Sequence, residues 1–342
     1  MQAVPLPTRQ RVVLLRQFGG PDCLTVVERP VPEPGAGEVL VKTLAASVQF
    51  TDVMLRKGQY PDLKDKPPLV LGYDLVGEVV KLGPGVTSPA LGQRVADLTV
   101  TGSYSQYRIL KSERVVVVDA ALDPAEATTL ILSWMTAYQL LHRDAGIKKG
   151  QKALVIGAAG AVGQALLVLG RLAGCDMWGA ARAPHAGLVR ALGATYLDSD
   201  RTDYGEVLAG GFDVAFDGIG ERGFSRSWRA IGPHGHLSAF GVSAAVQRDM
   251  SIVRVGWWLA KLWLWNTFAK GRSTRFYSIT TARSKHPDWF VTDLGELFGM
   301  LKRGVIKPRV AERIGLDAVT DAHIRIERGG LDGKIVLVPA AS

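Results

Sequence analysis

The chain has 342 residues, 47% of them hydrophobic and 21% charged, which is globular material in a quantity that allows two cores. Its 39 glycines and 17 prolines are spread along the chain, which excludes a helical bundle or a disordered linker and indicates many short strands and turns. The net charge of +9 does not indicate a nucleic-acid binder. Eight basic residues (Arg248, Arg254, Lys261, Lys270, Arg272, Arg275, Arg283 and Lys285) stand against one acid, Asp249, in a single segment, so that segment carries +7 and the remainder is nearly neutral.

The first eight residues read as a loose tail without the charged-then-apolar run of a signal peptide. From Arg11 to about Val118 the runs "RVVLL", "LTVVERPV", "EVLVKTLAASV", "LVGEVVKLG", "QRVADLTV" and "RVVVV" are β-branched and broken by Gly and Pro turns, the pattern of a small barrel. Asp123 and Pro124 then mark a helix start, and the pattern changes. Strand "KALVIGA", helix "AVGQALLVLGRLAG", strand "DMWGAA", helix "HAGLVRALG", strand "FDVAFDGIG", helix "RGFSRSWRAIG" and strand "GHLSAFGV" alternate, which predicts βαβ units in a parallel sheet. The last segment, "GLDAVTDAHIRIERGGLDGKIVLVP", is expected to return to strand character and rejoin the first domain. The fold class is therefore α/β: a doubly wound parallel sheet of Rossmann type beside a β-barrel-type domain. The expected domains are 9–133 with 307–342, and 134–306 carrying a Trp-rich insertion at 248–285.

Cys23 and Cys175 are too few for a disulfide framework or a four-ligand zinc site, and they fit a reducing, cytoplasmic setting. The stretch "VIGAAGAVGQALLVLG" carries more chemistry. A dinucleotide fingerprint, G-x-G-x-x-G, needs small residues for a tight turn, for close approach of backbone to diphosphate, and for helix-on-strand packing. Ala158, Gly160 and Gly163 hold those positions, the first a near match, after a buried strand and at the opening of an apolar helix whose N-terminus faces an anion. Gly157, Ala158, Ala159, Gly160, Ala161, Val162 and Gly163 are thus the predicted phosphate loop. The following strand ends at "GAARAPH", with Arg182 where a carboxylate would bond a ribose 2′-hydroxyl, a substitution that favours NADPH over NADH.

With the barrel-like first part, "ILSWMTAYQLLHRDAGIKKGQKALVIGAAGAVG", "VRALGATYLDSD", "FDVAFDGIG" and the closing "GKIVLVP", the chain resembles the zinc-independent quinone oxidoreductase branch of the medium-chain dehydrogenase/reductase superfamily over nearly its whole length. The stretch from Ser251 to Thr274 is also similar to the vesicle amine transport protein 1 subgroup. The resemblance implies a GroES-like catalytic domain, a Rossmann domain, NADPH, a homodimer, and hydride transfer to a quinone or an α,β-unsaturated carbonyl. Zinc-dependent relatives carry a Cys in the loop matching "SVQFTDVML" and a Gly-His-Glu motif where this chain has Tyr73 and Asp74, so no soft ligand remains and no metal is expected.

The same resemblance places Gln49, Asp52 and Tyr60 on the nicotinamide side, Gln49 replacing an Asn. Gln49 is then a candidate donor to a substrate carbonyl, Tyr60 a candidate to hydrogen-bond or protonate a developing enolate, and Asp52 a catalytic or capping carboxylate. Thr136 with Ala137 and Tyr138, Asp217 with Gly218, and Phe240, Gly241 and Val242 match segments that meet the nicotinamide and its ribose. Where the family has a Lys and a Tyr for the 2′-phosphate, this chain has His185 and Ala186, and Ser199, which leaves Arg182 as the main anchor.

From Ile252 to Phe268 the run "IVRVGWWLAKLWLWNTF" contains four of the eight tryptophans. It is barely long enough to span a bilayer, and Arg254 and Lys261 would each cost about 2.5 to 3.5 kcal/mol near its centre. Arg254, Lys261 and Trp265 share a helical stripe, so the segment reads as a lid, a subunit contact or a weak membrane-surface contact through 252–272. Alternatives to a quinone or enone reductase are a vesicle- or crystallin-like binder with little turnover, and a tailoring reductase or cyclase of secondary metabolism.

Overall fold

The computed structural model describes residues 6–61, 63–220, 224–243, 252–269 and 271–339. The start of the expected N-terminal tail, the Arg222–Gly223 start of one expected helix, the 248–251 start of the insertion and Lys270 lie outside the described residues. The chain forms two compact units. One runs to Leu132 and resumes at Phe290, and the other is Ser133–Trp289.

In chain order the first unit contributes β1 (Arg9–Leu15), β2 (Leu24–Pro30), β3 (Glu38–Val48), α1 (Phe50–Arg56), β4 (Leu69–Val70), β5 (Asp74–Leu82), β6 (Arg94–Leu98), β7 (Tyr107–Lys111), β8 (Val116–Val117) and α2 (Pro124–Thr129). β1 pairs antiparallel with β2 and β4 in a three-stranded sheet. β3 pairs antiparallel with β5 and β7, and its Val39, Leu40, Val41, Ala45, Ala46 and Val48 are all buried, so both faces of the strand are covered. α2 starts where the sequence indicates: the Asp123 carboxylate accepts from the Glu126 amide at 2.9 Å and Pro124 occupies the first turn.

The second unit opens with α3 (Met135–Gln139), flanked by π-helical turns at Leu130–Trp134 and Leu140–Asp144. It continues through β9 (Lys152–Ile156), α4 (Ala161–Leu172), β10 (Asp176–Ala181), α5 (Ala186–Ala191), β11 (Thr195–Asp198), α6 (Tyr204–Val207), β12 (Phe212–Asp217), α7 (Ser225–Ala230), β13 (Ile231–Ala239), α8 (Ile252–Phe268), β14 (Ser273–Phe276) and α9 (Ile279–Lys285). The six strands are all parallel, in the order β11-β10-β9-β12-β13-β14. β9 is central because Ala153, Leu154, Val155 and Ile156 are apolar without alternation, as a strand covered on both faces must be. Strand order reverses between β9 and β12, so their carboxyl ends open the crevice in which such sheets hold ligands. The Trp-rich segment is a helix, and its Trp258 and Leu262 complete the core formed by Phe212, Phe224 and Leu237.

The chain returns to the first unit through α10 (Pro287–Lys302), β15 (Val310–Ile314), α11 (Val319–Arg328) and β16 (Lys334–Leu337). Two expectations change here. Residues 290–306 group with the first unit, where Lys302 pairs with Asp119. "AVTDAHIRIERG", expected as strand, is largely helical: Val319, Ala322 and His323 fall on one buried face, a 3.6-residue period that outweighs the β-branched content. β16 rejoins β3 antiparallel, closing the discontinuous unit.

His323 is fully buried on α11, edge-on to Tyr104 at 6.1 Å, and burial followed by the Arg56 charge pushes its pKa down to about 3. The folded chain thus keeps it neutral, while an unfolded chain protonates it near the usual 6.5. The unfolded state takes up the proton first as pH falls, so stability present above pH 6.5 is lost between 6.5 and about 3. Between pH 6.5 and 5 the loss is about 2 kcal/mol. Urea unfolding at both pH values checks this: His323→Gln flattens the difference, and an unchanged difference would place the acid sensitivity elsewhere.

Candidate active site

In the second unit the corner between β9 and α4 is built for close approach. Gly157 adopts φ +79°, a conformation that favours glycine, so the tight turn falls there and not at Ala158, the first fingerprint position. Both the Gly157 and Ala158 amides donate to the Ala180 carbonyl at 3.1 Å, which ties the turn to β10. A Cβ on Gly163 would stand 2.4 Å from the Gly157 carbonyl oxygen and 2.8 Å from the Ala158 Cα, so α4 can lie this close only with glycine. Gln164 braces the loop by donating to the Ala159 carbonyl at 2.8 Å. Gly160 is the N-cap and carries no side-chain cap, so the first turn at Ala161, Val162 and Gly163 presents backbone N–H groups and the positive end of α4. Gly160 and Ala161 are exposed. A diphosphate fits this corner on steric and electrostatic grounds.

The neighbouring strand ends carry the other predicted residues. Arg182 is exposed immediately after β10, and Ser199 immediately follows β11, whose Asp198 is registered against Ala181. His185 and Ala186 lead into α5 beyond Arg182. Asp217, at the end of β12, is buried and turned inward: one carboxylate oxygen accepts from the Ile219 and Gly220 amides at 2.9 Å and the other from Ser227. Its side chain therefore shapes the loop. Phe240, Gly241 and Val242 follow β13, with the Phe240 amide on the Asp217 carbonyl at 3.0 Å, and a Cβ on Gly241 would meet the Gly218 carbonyl at 2.6 Å. Thr136 is buried on α3.

In the first unit, Gln49, Asp52 and Tyr60 enter a polar arrangement that the sequence did not reveal. Gln49 caps α1 and its amide is engaged at both ends: Oε1 accepts from Lys334 Nζ at 2.6 Å and Nε2 donates to Asp74. This corrects its reading as a substrate donor, because the longer side chain reaches the buried carboxylate instead. Asp74 also accepts from the Ser47 amide at 3.0 Å and from Thr128 Oγ1 at 3.2 Å. Asp52 is fully buried and accepts from the Gln49 amide at 2.9 Å, the capping role. Burial, reinforced by the Asp74 charge, raises the Asp52 pKa, while burial lowers that of Lys334 against the pull of Asp74 and Asp52. Tyr60 pairs hydroxyl to hydroxyl with Tyr73 at 2.5 Å, their rings edge to face at 5.6 Å.

Sequence reasoning missed Lys334, although it stands in the closing "GKIVLVP" motif. Gly333 at φ +119° passes so near the Arg309 carbonyl that a Cβ would stand 2.7 Å away, and this sets Lys334 at the head of β16. Nothing local couples residue 334 to residue 49. Tyr73 was read only as a lost zinc ligand, and the structure gives it a phenolic partner.

The family description "Alcohol dehydrogenase GroES-like domain" matches residues 35–120, and "Zinc-binding dehydrogenase" matches 192–337. A 2-haloacrylate reductase of Burkholderia sp is 30% identical, covering 96% of this chain and 98% of that protein. The synaptic vesicle membrane protein VAT-1 homolog of Rattus norvegicus is 27% identical, covering 96% and 84%. A quinone oxidoreductase of Pseudomonas aeruginosa is 28% identical, covering 94% and 97%. A mycobacterial protein solved in complex with NADPH superposes with a TM-score of 0.82 at 26% identity, covering 96% of this chain and all of the other.

The fold and these matches define a two-part nicotinamide-dependent oxidoreductase. The chain belongs to the medium-chain dehydrogenase/reductase superfamily, in its zinc-independent quinone oxidoreductase branch, with similarity to VAT-1. It is an NAD(P)H-dependent reductase of that superfamily. The zinc named in one description does not fit these residues. Tyr73 and Asp74 replace the His-Glu pair, Asp74 is committed to three donors, and the Lys334 ammonium already supplies the local positive charge.

Gly163→Val tests the corner directly. The side chain would force α4 off β9, costing about 1–3 kcal/mol of stability and weakening dinucleotide binding at least ~10-fold. Protein fluorescence quenched by added cofactor reads the affinity, and an unchanged titration would show that the loop yields without consequence.

Proposed function

We propose that this chain is an NADPH-dependent, zinc-independent reductase of quinones or α,β-unsaturated carbonyl compounds. One observation carries the reading: the Gly157–Gly163 corner is intact, while the metal position holds Gln49, Tyr73 and Asp74. Such a protein binds the dinucleotide and must stabilise the acceptor's oxyanion with hydrogen-bond donors. When bound, NADPH supplies the hydride.

In this reading the amides of Ala161, Val162 and Gly163 hold the diphosphate against the exposed Gly160, whose own amide closes the turn on the Gly157 carbonyl at 3.0 Å, with Ala158 and Ala159 shaping the turn behind them. Arg182, where β10 ends without a carboxylate of its own, pairs with the 2′-phosphate beside Ser199. Thr136, the Asp217–Gly218 backbone and Phe240, Gly241 and Val242 orient the nicotinamide half. Tyr60 donates to the developing oxyanion and moves a proton toward the acceptor, with the Tyr73 hydroxyl fixing its direction. Gln49 and Asp52 position the loop that carries Tyr60. β14 closes one end of the six-stranded sheet, and its outer edge supports a homodimer formed by strand pairing. The free thiols of Cys23 and Cys175 support a cytoplasmic setting.

Turnover with NADPH against a series of quinones and enones tests the activity, and binding without turnover of any of them would remove the reductase reading. Tyr60→Phe is expected to lower kcat about 100-fold while leaving the NADPH Kd unchanged. For Arg182→Glu the NADPH Kd rises on the order of 10- to 100-fold while the NADH Kd hardly moves. Equal losses for both cofactors would show that the 2′-phosphate lies elsewhere.

A further inference from the structure

A second polar site lies at the end of the six-stranded sheet opposite the dinucleotide corner. Parallel sheets of this kind hold their ligands at the carboxyl ends of the strands. Here Gln151 immediately precedes β9 and Ser273 opens β14, so the cavity of about 360 Å³ that they line sits at the amino ends. Asp144, His236, Asn266 and Arg275 also stand in its wall.

Three of these side chains form a relay. His236 of β13 is registered against Ser273, so both side chains leave the sheet on one face, and Ser273 Oγ stands 2.8 Å from His236 Nδ1. His236 Nε2 lies 3.2 Å from Asp144, the last residue of the second π-helical turn. An ionised carboxylate only accepts, so Nε2 carries the proton and Nδ1 is left to accept from the serine hydroxyl. Asp144 is ionised: burial works against its charge, but hydrogen bonds from His236 and Ser238 and the Arg275 guanidinium at 3.1 Å hold its pKa below the usual carboxylate range. Its side chain is only 2% exposed, so it grips the imidazole with little competition from water. Ser238, two residues along the strand on the same face, donates to Asp144 directly, which leaves Ser273 as the hydroxyl held by the base.

The same wall offers donors. Asn266 Oδ1 accepts from the Thr274 amide at 3.0 Å, and Gln151 Oε1 accepts from the Lys148 amide at 2.7 Å. With both oxygens engaged, each side-chain amide presents its NH2 group.

We propose that Ser273 and His236 are the nucleophile and general base of a second catalytic site, which hydrolyses small esters, with Asp144 positioning the imidazole. Ser273 Oγ bonds to the ester carbonyl carbon while its proton passes to His236 Nδ1, and the carbonyl electron pair moves onto oxygen, where the Asn266 and Gln151 amides are the donors. Collapse expels the alcohol oxygen, which takes the proton from Nδ1. Water then attacks the acyl group, gives a proton to His236, and releases the acid and the serine. Ester and water become acid and alcohol, with no change of oxidation state. The cavity's volume and polar wall suit a short acyl chain. This site does not rest on the reductase reading, since no dinucleotide takes part.

The full-length protein is given p-nitrophenyl acetate, and release of nitrophenolate is followed. In parallel it is treated with diisopropyl fluorophosphate and its peptides are weighed by mass spectrometry. The expected result is turnover with a burst of about one equivalent per chain, and a phosphoryl adduct on Ser273. Ser273→Ala removes the adduct and lowers kcat at least ~100-fold, with the unfolding midpoint and the NADPH Kd unchanged, whereas Ser238→Ala keeps the adduct. Asp144→Asn lowers kcat on the order of 100-fold at an unchanged KM, because the imidazole loses its orientation and the ester keeps its contacts. Should that buried change prevent folding, His236→Gln is expected to abolish the adduct as Ser273→Ala does. Hydrolysis no faster than by free imidazole, an adduct on a residue other than Ser273, or a kcat indifferent to Ser273→Ala overturns the proposal.

Discussion

Helix α4 lies against the end of β9 with no room for a side chain at Gly163, and the chemistry of the second unit follows from that contact. The approach brings the helix N-terminus to the carboxyl edge of the sheet beside the β9/β12 switch point. The left-handed turn at Gly157 and the uncapped Gly160 then leave the first-turn amides of α4 without side-chain partners. Remove the close approach and the dipole, the amides and the strand-end loops lose their common focus. Arg182 and Ser199 stand at the ends of adjacent, registered strands, so their placement follows from the same sheet.

The first unit meets a different electrostatic problem. Two carboxyls, Asp52 and Asp74, are buried in the barrel, and burial favours their neutral forms. Lys334 and the Gln49 amide offset that cost by direct hydrogen bonds and charge. Beside this cluster the Tyr60 and Tyr73 hydroxyls pair with one another. Arg56, buried and bonded to Glu327 at 2.8 Å, ties α1 to α11 and stiffens the loop from behind.

α8 divides its apolar residues between the core and the surface. Its inner tryptophans extend the core of the Rossmann unit, which explains why an insertion so apolar folds at all. The outer ones, Trp257 and Trp263, stand exposed.

Periodicity and turn chemistry were enough to read the alternating βαβ order, the phosphate corner and the start of α2, because each is written within a few consecutive residues. The resemblance carried the two-part architecture and the lost zinc ligands in the same way, from local motifs. Other features were not legible. That Gly157, not Ala158, makes the turn depends on how the loop hangs from Ala180, and the helix at Val319–Arg328 depends on which face the barrel buries. The sequence by itself determined which chemistry-bearing residues exist and which small residues permit close backbone approach. Only the tertiary structure decided that Lys334, Gln49 and Asp74 meet, since 285 positions separate Lys334 from Gln49 and no local preference spans that distance: the pairing of β16 with β3 brings them together.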